Sequence, residues 1–161
     1  MRWRNISFRK RLLIIMTVTG LVELLILSAA GFAYIKESQE QEMGLKALGV
    51  ANFLAKSPVV IKLIEEKRTE NVQQRYRNLT ELIGAAFIVI GDENGIRLVH
   101  PVDERLGKAM RGGDNQKALV YGESYVSVAK GSLGISVRGK AAVNNASGEI
   151  IGVVSVGYLL E

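Results

Sequence analysis

From Leu12 to Ile35 the chain reads LLIIMTVTGLVELLILSAAGFAYI, and Glu23 is the one ionisable residue in that run. As a helix it is long enough to cross a hydrocarbon core of about 30 Å, so residues 12–35 are read as a transmembrane helix. A cleaved signal peptide is the other reading, with Ser28, Ala29 and Ala30 beside a candidate cleavage point, but the apolar region is long for one. Past Ile35, Met43, Ala47, Val50 and Leu54 recur at helical spacing, which predicts an amphipathic continuation that Gly44 and Gly49 weaken. Ser57 followed by Pro58 marks a new helix start over PVVIKLIEEK. In NVQQRYRNLTELIG the apolar positions Val72, Tyr76, Leu79 and Leu82 predict a further helix that Gly84 ends.

From Ala85 the pattern changes to short runs of branched residues separated by turn signals, which predicts an antiparallel sheet. FIVIG is the first strand, Asp92-Glu93-Asn94-Gly95 the hairpin turn, and IRLVH the return strand. PVDERLGKAMRGGDNQKAL, rich in glycine and charge with one short helical piece, reads as a long functional connection. SYVSVAK, LGISVRGKAAV and EIIGVVSVGYLL complete five strands, the last two joined by the turn NNASG. The last strand is apolar on both faces, which suits a central place in the sheet. Together these elements predict an α+β fold, a five-stranded antiparallel sheet backed by a long N-terminal helix and preceded by one transmembrane helix. The boundaries are a basic N-terminus at 1–11, the span at 12–35, and a folded domain at 36–161, helical to about 84 and sheet from about 85.

Charge alters this picture only at the N-terminus. The 161 residues carry 21 basic and 16 acidic side chains, and Arg2, Arg4, Arg9, Lys10 and Arg11 account for the whole excess of five. The remainder is neutral, which argues against nucleic acid as a partner, since phosphate tracking needs basic residues spread over a folded face. The basic cluster before the span, against mixed charge after it, places the N-terminus in the cytoplasm and residues 36–161 outside the cell membrane. Glu23 in mid-span costs on the order of 3 kcal/mol if ionised and unpaired, so it either faces another helix or stays neutral. With no cysteine and only His100 as histidine, disulfides, thiolate metal sites and a His-rich metal centre are excluded.

The candidate chemistry lies in polar residues that interrupt the strands: Arg97 and His100 on the second, Ser136, Arg138 and Lys140 on the fourth. Residues two apart on a strand share a face, so Ser136, Arg138 and Lys140 point one way and Ile135, Val137 and Gly139 the other. Arg97 and His100, three apart, have the wrong parity and need a bulge or strand end to share a side. Guanidinium, ammonium and hydroxyl groups together suit a carboxylate ligand. The same alternation is also what a half-exposed sheet presents to water, and the pattern alone leaves both readings open. No nucleophile elbow, base-paired serine or carboxylate pair is evident, so no catalytic residues are assigned. Gly112-Gly113-Asp114 lacks the ending and setting of a phosphate loop and suggests a backbone anion contact or a turn.

The blocks IRLVHP at 96–101, RLGKAMRGGD at 105–114, SYVSVAKGSLGISVRGK at 124–140 and GEIIGVVSVGY at 148–158 carry a resemblance to a known family. The chain resembles the citrate and C4-dicarboxylate sensor histidine kinases, the CitA/DcuS group, and within it the citrate-sensing branch. The resemblance implies a PAS-like (PDC, or Cache-type) extracytoplasmic domain whose ligand is citrate or a related carboxylate. Residue by residue it implies ligand contacts from Arg97 and His100, from Arg138 and Lys140, from Ser132 and Leu133, from Met110 and Gly112, and from Ser155. Ser136 joins them by strand parity. Val89 stands where citrate sensors can have a hydroxyl residue, and Ala142 where a proline is usual. Lys140 stands where C4-dicarboxylate sensors tend to have an aromatic residue, which favours a third carboxylate.

By the same resemblance the parent protein is a two-component sensor kinase that uses ATP, acts on a cytoplasmic response regulator and forms a homodimer. No kinase domain or cofactor is expected in these residues. The signal implied is contraction of the sheet around the ligand, pulling the last strand relative to the first helix. A C4-dicarboxylate sensor for malate, fumarate or succinate, the ligand domain of a chemoreceptor, and a stand-alone enzyme are the competing readings.

Overall fold

The computed structural model describes residues 7–67 and 72–160. Of the basic N-terminal cluster, Arg2 and Arg4 lie outside the described residues. The chain divides into two units, one ending at Gln39 and one beginning at Glu40. Helix α1 runs Phe8–Ala55. In its first unit the large apolar side chains from Phe8 to Ile35 are exposed. Thr17 and Thr19 donate their hydroxyls back to the carbonyls of Leu13 and Ile15, leaving neither hydroxyl unpaired.

In the second unit the sequence-level elements form in the expected order. Gly44, Ala47, Ala51, Leu54 and Ala55 are the buried positions of α1, a stripe of mostly small residues at helical spacing. Helix α2, Pro58–Glu65, starts with Pro58 in its first turn; the Ser57 carbonyl accepts from the Val60 and Ile61 amides, while its hydroxyl makes no capping bond. Helix α3 is Val72–Leu82, and Gly84 (φ 65°) ends it. Tyr76 is the buried residue of α3, whereas Leu82 is 82 % exposed. Spacing identifies a helical stripe, but what covers each position of it depends on the neighbouring elements.

Five strands follow: β1 Phe87–Asp92, β2 Arg97–Val99, β3 Tyr125–Lys130, β4 Ile135–Asn144 and β5 Ile150–Leu159. They pair antiparallel in the order β2-β1-β5-β4-β3, which puts the doubly apolar β5 at the centre. Asp92 closes the β1–β2 turn by accepting from the Asn94 and Ile96 amides, with Gly95 at φ 70°. Between β2 and β3 lie a 3-10 turn, Asp103–Arg105, and helix α4, Gln116–Tyr121.

The two faces of the sheet have different partners. Ile88, Ile90, Val137, Ala141, Val143, Val154 and Val156 join Ala47, Ala51, Leu54, Val60, Ile64 and Tyr76 in one hydrophobic core. Gly139 belongs to this face, and a Cβ there would stand 2.1 Å from the Leu48 amide nitrogen, so α1 lies directly on the β4 backbone. The opposite face carries the polar residues of β4.

Candidate functional site

Strand alternation sets Ser136, Arg138 and Lys140 on the face away from α1, and the register aligns them with their neighbours. Lys140 pairs with Ser155 and Ser155 with Val89, while Arg138 pairs with Gly157 and Gly157 with Phe87. Because Gly157 has no side chain, the Phe87 ring occupies the space above it, and the Arg138 guanidinium carbon sits 5.8 Å from the ring centroid.

A bulge resolves the parity of Arg97 and His100. Pairing passes from Ile90–Val99 to Gly91–Arg97, which makes Leu98 an extra residue on β2. Leu98 and Val99 therefore both enter the core, while Arg97 and His100 both line the cavity on the other face.

That cavity has a volume of about 30 Å³ and brings together eight of the ten sequence-assigned residues: Arg97, His100, Met110, Ser132, Leu133, Arg138, Lys140 and Ser155. Gly112 and Ser136 do not line it. Ser136 stands behind Arg138 and accepts its Nε–H at 2.8 Å. Gly112 (φ 125°) brings its backbone so close to Arg138 that a Cβ would lie 2.6 Å from Nη1. Phe87, Val89, Arg111, Gly131 and Gly134 complete the wall.

Arg97, Arg138 and Lys140 are all buried. Arg138 also donates from Nη2 to the Ala129 carbonyl at 2.8 Å. Asp114, unassigned from sequence, holds the pair of β4 cations: its Oδ1 lies 3.4 Å from both Arg138 Nη1 and Lys140 Nζ, and its Oδ2 accepts from the Ser127 hydroxyl at 2.6 Å. Lys140 donates to Asn115 Oδ1 at 2.5 Å, and the Tyr125 hydroxyl donates to the Asp114 carbonyl. The sequence signal for Asp114 is its place in the Gly-Gly-Asp segment, which a turn accounts for without its carboxylate.

Burial is the main force on the titrating groups. It pulls Lys140 down to about 8, opposed by Asp114 and assisted by the nearby Arg138 charge. His100 falls to about 4, through burial first and then Arg97 and Arg105, despite a backbone hydrogen bond with Val102. Burial, then Arg105 and Arg111, lowers Arg97. Tyr125 rises to about 12 through burial, then Asp114 and Glu123.

At neutral pH the wall thus carries cationic Arg97, Arg138 and Lys140 beside a neutral imidazole. His100 Nδ1 lies 3.0 Å from the Val102 amide nitrogen and 3.1 Å from the Val102 carbonyl oxygen, and Nε2 lies 3.4 Å from Ser132 Oγ. The arrangement offers forked, point-charge and neutral donors to one anion. Among the described residues no group of three or more His, Cys, Asp or Glu is placed to hold a metal ion.

Residues 33–161 match the family model described as Single cache domain 3. Sensor protein CitS of Halalkalibacterium halodurans is 47 % identical over 123 residues, covering 76 % of this chain and 23 % of that protein. Sensor histidine kinase CitA of Klebsiella pneumoniae is 34 % identical over 155 residues, covering 96 % of this chain and 28 % of that protein. The crystal structure of the Escherichia coli DcuS sensor domain superposes with a TM-score of 0.70 at 30 % identity, covering 74 % of this chain and 90 % of that one. The chain spans about a quarter of the length of these two curated relatives.

Proposed function

We propose, because this chain belongs to the Single cache domain 3 family and within it to the CitA/DcuS group of sensor proteins, that it captures a small multiply charged carboxylate outside the cell, citrate foremost. The observation that carries the reading is the convergence of Arg97, His100, Arg138, Lys140 and Ser155 on one cavity from three different strands and a bulge. Buried cations without an anion are costly, and Asp114 supplies one carboxylate to at least two of them. A ligand carboxylate completes the remaining donors of Arg138 and those of Arg97.

Citrate is favoured over malate, fumarate or succinate by the number of cations at the wall. Val89 supplies no hydroxyl, so Ser155 beside it is the donor on that row. The cavity of about 30 Å³ is far below the roughly 300–1,000 Å³ of small-molecule pockets, so binding requires the wall to move. In this reading the parts of that wall that move are Arg111–Asp114 and Gly131–Gly134, and their differential contact with ligand is what a signal needs.

The apolar stretch of α1 serves in this reading as the membrane anchor, with the N-terminus cytoplasmic and the sheet outside. The parent protein is a histidine kinase that dimerises, binds ATP and passes phosphate to a response regulator.

Calorimetric titration with citrate, malate and succinate tests the assignment. Citrate should bind most tightly, and Arg138→Ala should weaken it at least about a hundredfold, from two charge-assisted bonds at roughly 1.5–3 kcal/mol each. Tight malate binding without citrate binding reverses the choice of ligand, and a flat titration with all three removes the assignment.

A further inference from the structure

Beside the inner cavity lies a second one of about 460 Å³, and the two share Arg97, Met110, Arg111 and Ser132. The outer cavity adds Arg105 and Lys108, so four cations surround it: Arg97, Arg105, Lys108 and Arg111. None of the four takes part in an ion pair among the described residues. Of the two acids beside Arg105 in sequence, Asp103 is held by Arg77 at 3.1 Å, and Glu104 is exposed and forms no ion pair among the described residues. Arg105 Nη1 is buried without a hydrogen-bond partner. A cluster of like charges with an orphaned guanidinium donor is unfavourable unless an anion completes it.

The ring is built into the sheet edge. Arg97 donates its amide to the Lys108 carbonyl at 3.1 Å and accepts from the Gly107 amide at 2.9 Å, Met110 donates to the Gly95 carbonyl at 2.8 Å, and Ile96 bridges Ala109. These backbone bonds fix the segment carrying Arg105 and Lys108 against β2, so its cations do not depend on a free loop for their position.

We infer that Arg105 and Lys108, with Arg97 and Arg111, form an outer anion site that takes the carboxylate of the ligand extending out of the inner cavity. The inference rests on the carboxylate-sensor reading and deepens it: the outer ring, and not Lys140, discriminates a tricarboxylate from a dicarboxylate. The inner space accommodates a carboxylate-sized group between Arg138, Lys140 and Ser155. A longer polyanion reaches outward at the shared boundary, where Arg97 faces both cavities. Lys140 is committed to Asp114 and Asn115 and therefore serves any carboxylate placed inside.

The test is calorimetry on the full chain in neutral detergent at fixed ionic strength, with citrate and malate as probes and Arg105→Gln, Lys108→Gln and the double variant compared with Arg138→Ala. Lys108 is exposed, so its single variant leaves folding undisturbed. The double variant should weaken citrate about tenfold or more, leave malate within about twofold, and reduce the salt dependence of citrate binding; Lys108→Gln alone should show the same selectivity at smaller size. Equal loss for both acids reduces the ring to general attraction and overturns the inference, as does no loss for either. If Arg138→Ala abolishes citrate binding while the outer variants leave it intact, the outer site falls and the sensor reading stands. If the unaltered chain binds neither acid, the sensor reading itself has failed.

Discussion

Asp114 Oδ1 stands 3.4 Å from Lys140 Nζ, so the loop between β2 and β3 supplies the counter-ion for a lysine buried on β4. The pairing opposes the burial that draws Lys140 down to about 8. Asp114→Asn removes the opposition and lowers that value further. The upper pH limit of carboxylate binding should then move to lower pH, as read by calorimetry from pH 6 to 9. An unchanged limit would show that Asp114 does not govern the lysine charge.

In the unaltered protein, affinity for carboxylates should fall as pH rises through about 8, where Lys140 loses its proton. Stability moves the other way. The folded-state value is depressed, so between about 8 and 10.5 the unfolded chain holds a proton that the folded chain has released, and stability rises with pH. Urea denaturation at pH 7, 8 and 9 should show the rise, and Lys140→Met should abolish it. A flat profile in the unaltered chain would count against a strongly depressed lysine.

His100 acts on the acid side. Its value near 4 lies below the ordinary 6.5, so below about pH 6.5 the unfolded chain is protonated first and stability is lost down to about pH 4. As the sole histidine, it gives one imidazole signal by NMR, which should titrate near 4. Titration near 6.5 would mean that the ring is hydrated.

Gly139→Ala should destabilise the domain by roughly 3 kcal/mol, at the upper end of overpacking costs, because the added Cβ meets the α1 backbone at Ala47 and Leu48. Chemical denaturation measures it. A change below about 0.5 kcal/mol would mean that α1 lifts from β4 without cost.

Much of this was legible in the sequence because strands obey a period of two. The spacing of Ser136, Arg138 and Lys140 set their common face, and the mismatch at Arg97 and His100 called for a bulge, which Leu98 provides. The unbroken apolarity of β5 gave its central place. Asp114 and Asn115 were not legible as partners of Lys140, since those contacts join residues 25 or more apart and leave no local signature. Arg111 and Phe87 escaped for a similar reason: one reaches the cavity from an irregular segment, and the other enters only because Gly157 opposite it is bare. Parity places Ser136 on the face of Arg138, where its oxygen accepts the Arg138 Nε–H.

The tripeptide Arg138-Gly139-Lys140 touches different parts of the molecule on its two sides: the cavity through the long side chains, and the main chain of α1 through the glycine. Backbone against backbone has little compliance, because no rotamer lies between the two to absorb a displacement. A displacement of the β4 backbone at the cations would therefore press directly on the Ala47 turn. A residue that never touches the cavity is in this sense its most direct link to α1.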